Sequence, residues 1–165
     1  MSAEIKPVET KPVLKEDKEV LTKKWSKPLI EAGYTAIPTI IIQRMGVLGL
    51  NPIDFAILVQ IASYWWSHTQ LPFPSIQAVA EAIGISESTV KKHLADLEKA
   101  NLIKRVHRPQ PGNRHKTNEY NFQPLITAVT PYALQELEEI AERKANKLKK
   151  LSKKGKPVLK VVPGK

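Results

Sequence analysis

Cysteine is absent from this sequence, which excludes a disulfide framework, a thiol nucleophile and any zinc site built on thiolates. No stretch approaches the roughly 18 consecutive apolar residues of a membrane-spanning helix. Met1 to Lys24 mixes Lys and Glu without an apolar run, so neither a membrane partner nor a secretory signal is expected. A glycine-rich phosphate loop, a serine elbow and a clustered acid pair are all missing, which leaves catalysis without machinery and predicts no cofactor. The four histidines, His68, His93, His107 and His115, lack the short helical spacing of metal ligands. Metal binding is therefore not expected. What remains is 165 residues, room for one compact core plus tails.

Charge is the first positive feature. The net charge is +10, and it is unevenly placed: residues 141 to 165 hold ten Lys or Arg against Glu142 alone, while residues 31 to 140 are close to neutral. Within that middle, Lys91, Lys92, Lys99, Lys104, Arg105, Arg108, Arg114 and Lys116 cluster between Ser86 and Asn118, opposed only by Glu87, Asp96 and Glu98. A basic segment inside a neutral core is the electrostatic form of an anion-binding face, and nucleic-acid phosphate is the commonest such anion.

Along the chain, residues 1 to 28 are rich in Lys, Glu, Pro and Val and poor in large apolar groups, which predicts a disordered tail. Pro38 to Met45 is expected as a short helix. Asn51 as cap, Pro52 at the first helical position and Asp54 in the first turn predict a helix over 52–67. Its apolar residues lie on most sides, so Trp65 and Trp66 are expected in the core or at its rim, not as a base-stacking platform. Leu71-Pro72-Phe73-Pro74 forces a turn. Ser75 caps a helix over 76–83, in which Ile76, Val79, Ala80 and Ile83 repeat at helical spacing, and Gly84 ends it. Ser86 caps a further helix, Glu87 to Ala100, with Val90, Leu94 and Leu97 inward and Asn101 in the left-handed position after it.

Only Gly84-Ile85-Ser86 separates those two helices, too little for an antiparallel hairpin, so they must cross steeply in a helix-turn-helix. Leu102 to Arg108 and Thr117 to Gln123 then predict a β-hairpin with Tyr120 and Phe122 on one face, joined by a loop containing Gly112-Asn113. Thr130-Pro131 predicts a last helix over 130–154, with 155–165 a disordered basic tail. The expected fold is mainly α with a small β-wing: a winged helix-turn-helix over 29–125, plus a C-terminal helix and disordered termini.

On a helical wheel, Ser88, Lys92, Ala95 and Lys99 lie opposite Val90, Leu94 and Leu97, with Thr89, Lys91 and Asp96 flanking. Such a face fits a major groove about 12 Å wide, where Ser and Thr approach base edges and Lys reaches guanine or phosphate. Ser86, a cap first of all, can with the free N–H groups of the first turn also hold a phosphate oxygen. In the wing, Arg105, Arg108, Arg114, His115 and Lys116 are the expected contacts to backbone or minor groove.

The residues Phe73-Pro74-Ser75, Ala80, Ile83-Gly84-Ile85-Ser86, Ser88-Thr89-Val90-Lys91, Leu94, Leu97-Glu98, Leu102-Ile103 and Asn118-Glu119-Tyr120 resemble a bacterial helix-turn-helix family. Its members include winged-helix regulators and the N-terminal domains of phage and plasmid replication initiators. The resemblance spans about Tyr34 to Phe122, and departs from the family pattern at Asn101, where glycine is usual, and in the proline-bearing wing loop. It implies that Ser86 to Lys92 face double-stranded DNA. A sequence-specific transcriptional regulator, cytoplasmic and nucleoid-associated, is the leading expectation; an origin-binding replication initiator or accessory protein is the nearest alternative, and a winged-helix protein-interaction adaptor the alternative of another class. The C-terminal helix is expected either to form a homodimer or to pack back on its own domain, and contacts with transcription or replication proteins are the further partners expected.

Overall fold

In the computed structural model, residues 15–107 and 117–154 are described. They divide into two compact units, the first ending at Ala36 and the second beginning at Ile37. The expected tail over 1–28 is corrected from residue 15 onward: Lys15–Trp25 forms α1 and Lys27–Ala32 forms α2. The helix is locally supported in ways that an apolar-poor composition hides. Glu19 and Lys23 pair at 2.9 Å across one turn, the Thr22 hydroxyl donates to the Lys18 carbonyl at 2.8 Å, and Leu21 and Trp25 stand at i,i+4 spacing.

The second unit begins with the short α3, Thr39–Gln43, followed by α4, Pro52–Ala62. The Asn51 side chain accepts from the backbone N–H groups of Ile53 and Asp54 at 2.9 Å each, and Asp54 accepts in return from the Asn51 N–H at 3.0 Å. That reciprocal arrangement satisfies three amides at the helix end. Ile57, Leu58 and Ile61 are buried, and so is Asp54, while Ile53 is exposed.

α4 ends five residues earlier than the sequence predicts. Beyond Ala62 the chain turns, with the Ser63 hydroxyl donating to the Gln60 carbonyl and the Trp66 indole N–H to the Ser63 carbonyl, both at 2.7 Å. The two tryptophans then part company: Trp65 stacks on Phe122 with centroids 5.5 Å apart, whereas Trp66 is 86% exposed. The rim position holds for Trp65 only.

Ser75 caps α5, Ile76–Ile83, and Ser86 caps α6, Glu87–Lys99. Leu102 and Ile103 are buried and lead into β1, Lys104–Val106, which pairs antiparallel with β2, Glu119–Asn121, in the register Arg105 to Tyr120. The Tyr120 N–H donates to the Pro72 carbonyl at 2.9 Å, so the proline turn before α5 borders the hairpin. Tyr120 and Phe122 are both buried, on one face as expected. One core joins α4, α5 and α6 to the hairpin and to Leu125 and Val129 beyond it.

α7 runs from Gln123 to Lys154, beginning seven residues before the expected Thr130-Pro131 start. Just ahead of it, the Asn121 side-chain oxygen at the end of β2 accepts the Gln123 N–H at 2.8 Å. Pro131 sits inside the helix, where its missing donor removes one intrahelical bond. Thr130, expected as the cap, instead donates its hydroxyl to the Ile126 carbonyl at 2.7 Å. The tail expected over 155–165 lies outside the described residues.

Candidate nucleic-acid interface

The elbow between α5 and α6 is built from local chemistry. Gly84 adopts φ 78, ψ 34, the left-handed conformation that glycine enters without the Cβ penalty. Its N–H and that of Ile85 both donate to the Ala80 carbonyl, at 2.9 and 3.1 Å. The turn is thereby closed, and Ile85 packs against the core. Ser86 then starts α6, its hydroxyl oxygen accepting the Thr89 N–H at 3.1 Å.

Two faces of α6 follow. Val90, Leu94 and Leu97 are buried, whereas Ser88, Lys91 and Lys92 are exposed and Thr89 is half-buried. The structure thus gathers the five residues expected on the outer face, Ser86, Ser88, Thr89, Lys91 and Lys92, along the first two turns of one helix. The three hydroxyls are linked, with 2.8 Å from Ser86 Oγ to both Ser88 Oγ and Thr89 Oγ1. Lys91 lies 3.4 Å from Glu87 one turn earlier, an exposed pair worth only a few tenths of a kcal/mol, which leaves the ammonium free to exchange partners. Glu87 itself suits the positive end of the helix dipole.

The wing divides differently from the sequence expectation. Arg105 is not a free cation: its Nε donates to Glu98 Oε2 at 2.8 Å, its Nη2 reaches the same oxygen, and its backbone N–H donates to Glu98 Oε1 at 2.8 Å. Hydrogen bonding to Arg105 holds the Glu98 carboxyl below its usual 4.5, and the same bonds raise the Arg105 guanidinium. Arg105 therefore ties β1 to the end of α6. Beside it, burial raises the Tyr120 hydroxyl above its ordinary value. At the foot of the wing, His107 Nδ1 and Asn118 Oδ1 are 3.0 Å apart. Arg108, Arg114, His115 and Lys116, the remaining expected wing contacts, lie outside the described residues.

One positioning pair escaped the sequence reading. His93 Nδ1 lies 2.7 Å from Asp54 Oδ1, joining the middle of α6 to the first turn of α4 across 39 residues of sequence. A signal was present: position 93 falls in the inward series 90, 93, 94, 97, and a polar group on a buried face requires a partner. Asp54, read from sequence only as a dipole partner, supplies it.

Two short helices joined by a closed three-residue elbow, the second exposing a basic face and followed by an antiparallel hairpin, define a winged helix-turn-helix. In agreement, a family described as a helix-turn-helix domain matches residues 48–103. Among solved structures, the chain is similar to the N-terminal domain of the DnaD protein from Geobacillus kaustophilus HTA426, at 19% identity over 73% of this chain and 96% of that one, with a TM-score of 0.49. It is also similar to MepR of S. aureus in a MepR–DNA complex, at 18% identity over 81% and 98% of the two chains and a TM-score of 0.39. For the multiple antibiotic-resistance repressor MarR of Listeria monocytogenes 4b F2365, the values are 19%, 84%, 91% and 0.38. No curated protein sequence matches this chain. Among the described residues, no helix is long and apolar enough to cross a membrane.

Proposed function

We propose that the outer face of α6 enters the major groove of double-stranded DNA, with Ser86, Ser88, Thr89, Lys91 and Lys92 as its contacts, and that the protein acts as a sequence-specific transcriptional regulator. The observation that carries this reading is the division of α6 into a fully buried apolar side and an exposed hydroxyl and lysine side, presented by an elbow closed by two hydrogen bonds to the Ala80 carbonyl. A side chain on such a helix reaches base edges without rearrangement of the domain. Lys92, at the centre of that face, reads guanine or phosphate; the hydroxyls and first-turn amides hold a phosphate oxygen.

Arg108, Arg114, His115 and Lys116 are assigned to the phosphate backbone or the adjacent minor groove. Arg105 serves the interface by fixing the wing against α6. Occupying an operator needs no bond making or breaking, so this reading asks for neither catalytic residues nor a cofactor. A homodimer through α7 completes it, because two copies present two such helices to half-sites one helical turn apart.

The test is duplex binding by the full chain. Lys92→Ala is expected to weaken binding to the selected site by about 1–3 kcal/mol and relax preference at one position, while Arg114→Ala weakens all sequences alike and lowers the salt slope by about one. Unchanged binding by both variants overturns the docking. Mapping bound sites on the source genome separates promoters, which the regulator reading requires, from a replication origin, which assigns the protein to initiation.

A further inference from the structure

The long last helix is two helices in charge. Residues 123–142 carry four acids, Glu136, Glu138, Glu139 and Glu142, and no Lys or Arg; residues 143–154 carry Arg143, Lys144, Lys147, Lys149, Lys150, Lys153 and Lys154 and no acid. Among the described residues, it is packed into the domain near its start, through Leu125 and Val129, with Arg44 over the Tyr132 ring at 5.7 Å and 3.9 Å from Glu136. On the side turned away from those residues runs an apolar series at alternating spacings of three and four: Leu134, Leu137, Ala141 and Leu148, with Lys144 between. Leu137 and Leu148 are 61% and 67% exposed.

The arrangement is costly unless something covers it. Cations three and four apart repel along the helix, and a segment of this length without tertiary support is marginal in water. A polyanion such as DNA phosphate answers the lysines but not the leucines, and it is repelled by Glu138 and Glu142. A second copy of the same helix answers both.

We propose that α7 pairs with α7 of a second copy in antiparallel orientation, about a two-fold axis level with residues 142 and 143; the inference rests on the homodimer reading and adds its direction, register and electrostatic basis. In that register Leu137 meets Leu148 of the partner, and Ala141 leaves room for the aliphatic stem of Lys144. The acidic half of each helix lies along the basic half of the other. A parallel pair in register sets Lys144 against Lys144 and runs two lysine-rich halves side by side, which is the worse arrangement at every level beyond Glu142.

The cysteine-free chain makes the test direct. With a 1.5 Å rise per residue, antiparallel pairing places the two positions 141 about 5 Å apart along the axis and the two positions 148 about 17 Å apart. Single-cysteine variants Ala141→Cys and Leu148→Cys of the full chain are treated with a bis-maleimide spanning about 10 Å, the usual distance between packed helices, each at a concentration where it sediments as a dimer. Cross-linking at 141 and not at 148 is the expected result; cross-linking at both means a parallel pair and overturns the inference while leaving the homodimer intact.

A chain that sediments as a monomer throughout overturns both, and assigns the basic half to DNA if its duplex affinity is salt-dependent and falls on neutralising Lys147 and Lys149. As an independent measurement, Glu138→Lys with Glu142→Lys is expected to weaken self-association about tenfold at low salt, four exposed charge interactions being lost per dimer. Adding Arg143→Glu and Lys147→Glu, the positions level with 142 and 138 of the partner, is expected to restore it. An unchanged dissociation constant, or no restoration, removes the electrostatic basis.

Discussion

α6 and α7 are both amphipathic, yet they are held in opposite ways. α6 is gripped along its whole length: by the cap at Ser86, by Val90, Leu94 and Leu97 in the core, by Asp54 on His93, and by Arg105 on Glu98 at its far end. Among the described residues, α7 is gripped no further along than Glu136, and Leu134, Leu137 and Leu148 face outward. Packing on one side fixes the other, so α6 offers an outer surface of set geometry. α7 offers an unfilled seam. A short helix with every inward position used suits reading a rigid duplex, and a long one with its stripe uncovered suits joining a second chain.

Removing one leucine from each helix tests that contrast most sharply. Leu94→Ala deletes a fully buried side chain where core truncations cost about 2–5 kcal/mol, whereas Leu137→Ala removes an exposed one and is expected to change the stability of the dilute chain by less than about 0.5 kcal/mol. Urea denaturation of both variants measures the difference. Equal losses would mean that the α7 stripe is already covered within a single chain.

The elements around the elbow were legible in the sequence because their signals are local. Ser75, Gly84 and Ser86 mark three boundaries through hydrogen bonds spanning five residues or fewer, and the apolar spacing of Ile76 to Ile83 and Val90 to Leu97 sets which side is buried. The start of α7 was misplaced for an instructive reason. Thr130-Pro131 carries the same cap-then-proline pattern as Asn51-Pro52, but the chain is already helical from Gln123, and a proline then costs one bond without ending the helix. The role of Arg105 was missed because composition counts a cation without showing its partner. Glu98 and Arg105 lie on different elements, and only the fold brings them together.

Next in size is the His93 link. His93→Ala leaves the buried Asp54 without its partner from α6, and the expected loss is about 1–3 kcal/mol, the cost of an unsatisfied buried polar group. The same variant is expected to weaken duplex binding although His93 faces away from the outer surface, because α6 loses its tie to α4. Destabilisation with wild-type affinity at a temperature where the variant is folded would show that the core contacts alone orient the helix.

The smallest effect belongs to Glu98 and Arg105, which are partly exposed and so contribute on the order of 1 kcal/mol. It is the effect with a pH signature. The Glu98 carboxyl ionises below 4.5 in the folded chain, so near and below that value the unfolded chain binds the proton more readily. The pair's contribution is full above pH 4.5 and is lost as the pH falls through the lowered folded value. Glu98→Gln is expected to destabilise the protein at neutral pH and to flatten its acid-side stability curve relative to wild type, as read by thermal unfolding at a series of pH values. An undiminished acid slope in the variant would place the titrating carboxylate elsewhere and leave the buried Tyr120 and Phe122 to hold the wing against α6.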